Sequence, residues 1–221
     1  MTDINSKLDL GNESKIFMSV TGSPLVYTPN WGSNPSRTLS LGRDINRKVV
    51  SIPMVRYLTE DTAFSASYQF TNLSKSEEYC LLNFFWLTKG RCKRFWLPVL
   101  FQDLELTQNI TAGAYTVKIR DTGFTESLQG YERLFFTLKD TKALYTRQIL
   151  SAPDSTTLTL KSAINMNIAI TNISHFGRLI LCRFDMDELE VSHLNYELSE
   201  VALSFKELTK EYHLLEEGTE S

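Results

Sequence analysis

Residues 74–100 read Ser74-Lys75-Ser76-Glu77-Glu78-Tyr79-Cys80-Leu81-Leu82-Asn83-Phe84-Phe85-Trp86-Leu87-Thr88-Lys89-Gly90-Arg91-Cys92-Lys93-Arg94-Phe95-Trp96-Leu97-Pro98-Val99-Leu100. Ser74 and Glu77 have the Ser-x-x-Glu form of a capping box, in which hydroxyl and carboxylate satisfy the donors that open a helix. Tyr79, Leu82, Phe85, Trp86 and Lys89 recur at three- and four-residue spacing. That period predicts a helix over 75–89 with these residues on one face and Leu82, Phe85 and Trp86 in the core. Gly90 supplies a left-handed turn to end the helix. The run from Arg91 to Pro98 then leads into an aromatic strand. No residue here is an evident nucleophile, metal ligand or phosphate cradle.

Outward from this point the chain reads as strands. Ala63 to Phe70 alternates, with Phe64, Ala66, Tyr68 and Phe70 on a predicted core face. Before it, Ile16–Val20, Arg37–Leu41 and Val49–Val55 are shorter candidates, and Pro53 favours an edge position because it lacks an amide donor. Pro24 to Pro35 is turn-rich. Between 103 and 176 come short runs at even spacing, namely Tyr115–Ile119, Leu134–Leu138, Arg147–Leu150, Thr157–Leu160 and Ile168–Ile170. They are separated by Gly113, Gly123, Gly130, Asp140 and Pro153-Asp154, which suggests a small antiparallel barrel or sandwich inserted into the first domain. Arg178–Phe184 and Val201–Leu208 read as strands that return to that domain.

The expected architecture is therefore mainly β: an antiparallel β-sandwich with one packed α-helix, plus an inserted small β-barrel or sandwich. Its parts are an N-terminal arm over 1–14, a sandwich over 15–102 and 177–208, the insert over 103–176, and a tail over 209–221. The tail reads as a short helix followed by a frayed, glutamate-rich end.

Composition narrows the function classes. A chain of 221 residues, 42% hydrophobic, has material for a real core. A net charge of −3 gives no reason to expect a nucleic-acid reader, which normally carries a basic excess. Cys80, Cys92 and Cys182 are odd in number and lack Cys-x-x-Cys spacing, so they suggest neither a disulfide framework nor a zinc site. The reading is of a reducing cytoplasm. No signal core opens the sequence, and no run approaches the roughly 20 apolar residues of a membrane span.

Four carboxylates in Asp185-Met186-Asp187-Glu188-Leu189-Glu190 invite a divalent-cation or acid/base reading. Strand geometry converges only two of them on either face, and the spacing is not that of an EF-hand loop. A solvated turn and strand at an assembly surface is the reading adopted. His175, His193 and His213 stand apart from one another, without metal-ligand spacing. Arg91, Lys93 and Arg94 favour a thiolate at Cys92, but no histidine partner is near it in sequence. The same cations suit a partner carboxylate or the end of a helix dipole. The P-loop, Rossmann and Gly-x-Ser-x-Gly patterns are absent. The stripe Phe84, Phe85, Trp86, Phe95 and Trp96 is read as core packing in preference to base or sugar stacking. No catalytic residue, metal ligand or cofactor is assigned.

Three elements together resemble the small tail proteins of long-tailed bacteriophages, the group of distal tail proteins and related baseplate or tail-tip components also found in gene transfer agents and prophages. One is Asn30-Trp31 in a turn ahead of an alternating strand. Another is Phe64 to Phe70, then the helix, then Gly90-Arg91-Cys92-Lys93-Arg94-Phe95-Trp96-Leu97-Pro98. The third is Arg183 to Glu190 leading to Glu200–Leu208. The likeness covers about half the chain, from Val26 to Leu100 and Gly177 to Leu208. It implies a virion structural protein without enzymatic activity, forming a hexameric or trimeric ring at the end of the tail tube. Partners would be the tube, the hub and other tail-tip proteins, with neither membrane nor sequence-specific nucleic acid. The inserted β-domain departs from the shortest members. Arg91, Lys93, Arg94, Asp185, Asp187 and Glu188 are the candidate assembly residues, acids of one copy meeting cations of the next. The runner-up is a carbohydrate-binding or carbohydrate-cleaving β-protein, with Trp31, Trp86 or Trp96 stacked on sugar and a pair among Asp185, Asp187 and Glu188 as acid and base.

Overall fold

The computed structural model describes residues 63–99, 104–127, 132–140 and 144–208, together with 19–20, 23–24, 30, 36–40, 43–46 and 54–57. In chain order the strands are β1 (Ser19–Val20), β2 (Ser23–Pro24), β3 (Ser36–Ser40), β4 (Arg43–Asn46), β5 (Met54–Tyr57) and β6 (Ala63–Ser74). The helix α1 (Lys75–Thr88) follows, then β7 (Phe95–Pro98), β8 (Ala114–Lys118), β9 (Arg133–Leu138), β10 (Leu144–Asp154) and β11 (Thr157–Ile164). Last come β12 (Ile173–Phe184), β13 (Val191–His193) and β14 (Leu198–Glu207). The protein is mainly β and antiparallel, with one α-helix among the described residues. Of the expected strands Ile16–Val20 and Val49–Val55, Ser19–Val20 and Met54-Val55 are strand and the rest lies outside the described residues, as do Trp31, the arm over 1–14 and the tail over 209–221.

Two compact units emerge, one taking in Phe95–Ile180 and the other Pro29–Arg94 and Leu181–Tyr212. In the first, β12, β9, β10, β11 and β8 form an antiparallel sheet in that order. Its core is a continuous apolar cluster from Leu104 to Phe176 that includes Val117, Phe136, Ile149 and Leu158. β10 changes partner midway: Leu144–Gln148 lie along β9, and Ile149 onward lies along β11 with two register shifts. Such bulges let a strand bend around a core. At the β10–β11 turn the Asp154 carboxylate accepts hydrogen bonds from the Thr157 and Thr156 hydroxyls and the Thr156 amide, which hold its pKa down to about 2. Tyr115–Lys118 belong to β8, which pairs with β11.

The unit boundary differs from the expected 103 and 176. β7 pairs with β12, the Val99 amide donates to Arg178 O at 2.8 Å, and buried Trp96 lies under the Arg133 guanidinium at 4.7 Å. The aromatic strand after the helix is thus tied to the insert's own sheet. A second correction concerns Ile168–Ile170, expected as a strand. Ile168 forms an isolated bridge to Ile110, and Ile170–Asn172 turn as a 3₁₀ segment.

In the second unit, β6 pairs with β3 on one side and β14 on the other. β14 also pairs with β13 through Ser199–Val201 and with the last residues of β12 through Phe205–Glu207. Alternation along β6 buries Ala66, Tyr68 and Phe70, as its sequence pattern predicts; the Phe64 side chain is not among those described. One extra residue then enters β6 between Phe70 and Leu73, with Asn72 at φ 58°. The bulge restores the inward aim of Leu73, which is buried. β6 passes directly into α1 at Ser74, where the capping box is complete: Ser74 N donates to Glu77 Oε2 at 2.7 Å and Ser74 Oγ accepts from Glu77 N at 3.4 Å.

Candidate assembly surface

The helix presents to its own sheet a face other than the one its aromatic spacing predicts. Buried are Glu78, Leu81, Phe84 and Thr88, at offsets of three, six and ten residues that fall on one side of a helix. Phe84 meets Phe184 edge-on at 6.1 Å, and Phe184 in turn stacks on Phe205 of β14 at 5.4 Å. Thr88 Oγ1 donates back to Phe84 O at 2.9 Å, which lets a polar side chain sit buried under the last turn. Phe85 is half-buried, its ring 5.0 Å from Phe184. Leu82 and Trp86, expected in the core, are exposed, Trp86 at 74%, as are Tyr79 and Leu87. α1 therefore carries two apolar stripes roughly 140° apart at about 100° per residue, and only one of them packs.

The unpacked stripe forms one wall of a groove of about 820 Å³. Leu82, Phe85 and Trp86 supply the apolar wall, Leu189 faces them, and Lys89, Lys93 and Asp187 stand at the rim. The groove exists because the chain turns sharply at the helix end and the 185–190 segment returns beside it. Lys89 (φ 53°) and Gly90 (φ 56°) are both left-handed, and Gly90–Cys92 make one 3₁₀ turn before the strand. The helix thus ends at Thr88, one residue earlier than expected, with Lys89 as its left-handed cap. A Cβ on Gly90 would stand 3.1 Å from Met186 O and 3.4 Å from Asp187 Cα, so any other residue would be strained in this left-handed conformation and would press on the 185–190 segment.

Of the six candidate assembly residues, the structure gathers three. Arg91 Nη2 donates to Asp185 O at 2.8 Å, and Arg91 Nε lies 3.8 Å from Asp185 Oδ1 and 3.7 Å from Asp187 Oδ2. The expected pairing of these acids with a neighbouring copy is, for Arg91, a pairing within one chain. All three side chains are largely exposed, and such pairs contribute about 0–1 kcal/mol. Their effect is to hold the 185–187 turn against the helix end. Residues 185–190 form no strand, so the alternation expected of them does not operate. Lys93 stands at the groove rim, Arg94 is half-buried and Glu188 is exposed on the same turn.

A second polar cluster has no local signal in the sequence, because Glu78 and its partner Ser199 are 121 residues apart. Glu78 Oε2 accepts from Ser199 Oγ and from Lys75 Nζ, the latter at 2.9 Å. His193 Nδ1 lies 3.0 Å from Ser199 Oγ, 3.2 Å from Lys75 Nζ and 3.7 Å from Glu78 Oε2. A serine, a histidine and an acid in contact suggest nucleophilic catalysis, but that relay needs serine and acid on different ring nitrogens. Here both face Nδ1, and Ser199 is fully buried. The cluster is a fastening between the first turn of α1 and the β13–β14 hairpin. The Ser199 hydrogen bond, then that of Lys75, holds the Glu78 carboxyl below its usual value despite burial.

His175 is bonded to the hydroxyls of Ser174 and Thr137, and burial lowers its pKa; His213 lies outside the described residues. Cys92 is exposed, while Cys182 is buried, where desolvation and then Glu207 push its thiol well up. Among the described residues no three of His, Cys, Asp and Glu gather as a metal site, and no helix is long and apolar enough to cross a membrane. No family model matches the chain, and no curated protein matches it.

Proposed function

We propose that this chain is a structural protein of a phage tail tip or baseplate, carried in the virion, that assembles into a homo-oligomeric ring and joins the tail tube to more distal parts. The observation that carries the assembly part is the outer stripe of α1. A helix that already buries Leu81 and Phe84 has no need, for its own packing, of Tyr79, Leu82, Trp86 and Leu87 on its other side. Contiguous exposed apolar side chains rimmed by charge are typical of surfaces that another protein covers. The placement in a phage tail rests on the sequence resemblance, and the absence of an enzymatic role on the structural duties of the Ser199, His193 and acidic clusters.

One observation favours the carbohydrate reading. Trp86 is solvent-facing and shares the groove with Asp187, as a sugar platform beside an acid would. Against it, Asp185 and Asp187 both engage Arg91, so the two acids are drawn onto the turn at the helix end instead of facing each other across a sugar site. Trp96 is fully buried and stacks on nothing from solvent. Native mass spectrometry of the purified chain, together with a search for it in purified particles, tests the proposal. Closed rings in solution, or the chain in tails, are the expected results. A strictly monomeric chain absent from particles, or glycan cleavage lost on Asp185→Asn or Asp187→Asn, overturns it.

A further inference from the structure

Deepening the assembly reading, and resting on it, we infer that the groove beside α1 receives the segment Glu211-Tyr212-His213-Leu214-Leu215-Glu216-Glu217 of a neighbouring copy of the chain. The argument begins with charge. Asp187 at the rim is engaged with Arg91, whereas Lys89 and Lys93 form no ion pair among the described residues. The groove therefore offers an apolar wall bordered by two available ammonium groups, and it fits a ligand with large apolar side chains flanked by carboxylates.

Residues 209–221 have that pattern in their sequence. One lysine stands against four glutamates, and the apolar residues Tyr212, Leu214 and Leu215 lie between Glu211 and Glu216-Glu217. From the anchored Leu208, Thr209 and Lys210 can carry the chain about 10 Å before Glu211, so the receiving groove is that of a copy packed close to the end of β14. The strand that precedes it is firmly anchored: Leu208 N donates to Leu181 O at 2.9 Å. A segment exchanged in this way around a ring gives each copy one donated and one received contact, the head-to-tail arrangement that closes a ring.

Two experiments on the full chain test it. In the first, a photoreactive leucine analogue replaces Leu215 and the chain is mixed with isotopically heavy protein. Cross-links from position 215 to residues 82–93 in heavy–light pairs are expected. Cross-links confined to one chain, or landing elsewhere, overturn the inference. In the second, the surface substitutions Lys89→Glu with Lys93→Glu, or Glu216→Lys with Glu217→Lys, should each weaken self-association at least about tenfold, and combining all four should restore it. Unchanged association in both double variants overturns the inference while oligomers and particle incorporation leave the structural role standing. A chain monomeric at every concentration and absent from particles overturns both.

Discussion

Truncating Phe84 to alanine separates the two faces of α1 in a single measurement. Phe84 is 3% exposed and sits edge-on to Phe184, which stacks on Phe205, so its removal opens a cavity between helix and sheet. An aromatic side chain buries about 150–250 Å², worth roughly 4–6 kcal/mol at about 25 cal/mol per Å² as an upper bound. With partial collapse of the site, Phe84→Ala should cost about 3–5 kcal/mol. Phe85→Ala, half-buried with its ring 5.0 Å from the same Phe184, should cost about half that. Trp86→Ala should fall within about 0.5 kcal/mol of the parent, because the indole is mostly in water. The assay is urea unfolding followed by far-ultraviolet circular dichroism, with near-ultraviolet signals used to separate the transitions of the two units. Equal losses for Phe84→Ala and Trp86→Ala in dilute solution would refute the assignment of the packed face.

Three further outcomes are expected. Glu78 has a lowered folded-state pKa, so its stabilising contribution is present above the ordinary value of 4.5 and is lost as pH falls through the lower folded value; Glu78→Gln should flatten the acid side of a plot of urea midpoint against pH. Gly90→Ala, in a left-handed conformation with a carbonyl 3.1 Å from the new Cβ, should destabilise by about 1–3 kcal/mol in thermal unfolding, and an unchanged midpoint would show that the 185–190 turn moves freely. A thiol reagent should label Cys92 promptly in the native protein and Cys182 only on unfolding, as mass spectrometry of labelled peptides can verify.

The capping box at Ser74 and the inward alternation of Ala66, Tyr68 and Phe70 were legible because each depends on neighbours within a few residues. The packed face of α1 was not. Spacing alone favoured Tyr79, Leu82, Phe85 and Trp86, which hold more aromatic area than Leu81 and Phe84. What overrides them is Glu78, a charged residue on the buried side, made tolerable by Lys75, Ser199 and His193. A glutamate at that position marks a surface in any pattern reading, and two of its partners, Ser199 and His193, come from a hairpin more than a hundred residues away. Arg91, Asp185 and Asp187 were found as a set, but whether they meet within one chain or between two depends on the return of 185–190 beside Gly90. No local signal encodes that return except the glycine itself.

The same feature that defeated the pattern reading gives the helix its second use. Burying Glu78 against partners on the β13–β14 hairpin fixes the rotation of α1, because turning the aromatic stripe inward would strip its carboxylate of Ser199 and His193 at a cost of about 1–3 kcal/mol or more. Leu82 and Trp86 are then held outward whatever their hydrophobicity, on a rigid backbone locked at one end by the capping box and at the other by Thr88 and the Lys89–Gly90 turn. An apolar surface carried on so constrained an element loses little conformational entropy when a partner covers it. Lys89, Lys93 and the Arg91–Asp185–Asp187 cluster border that surface with charge, which disfavours indiscriminate apolar contacts and favours an acidic partner. Removing the Glu78 fastening should therefore loosen self-association as well as fold stability, whereas removing Trp86 should affect association alone.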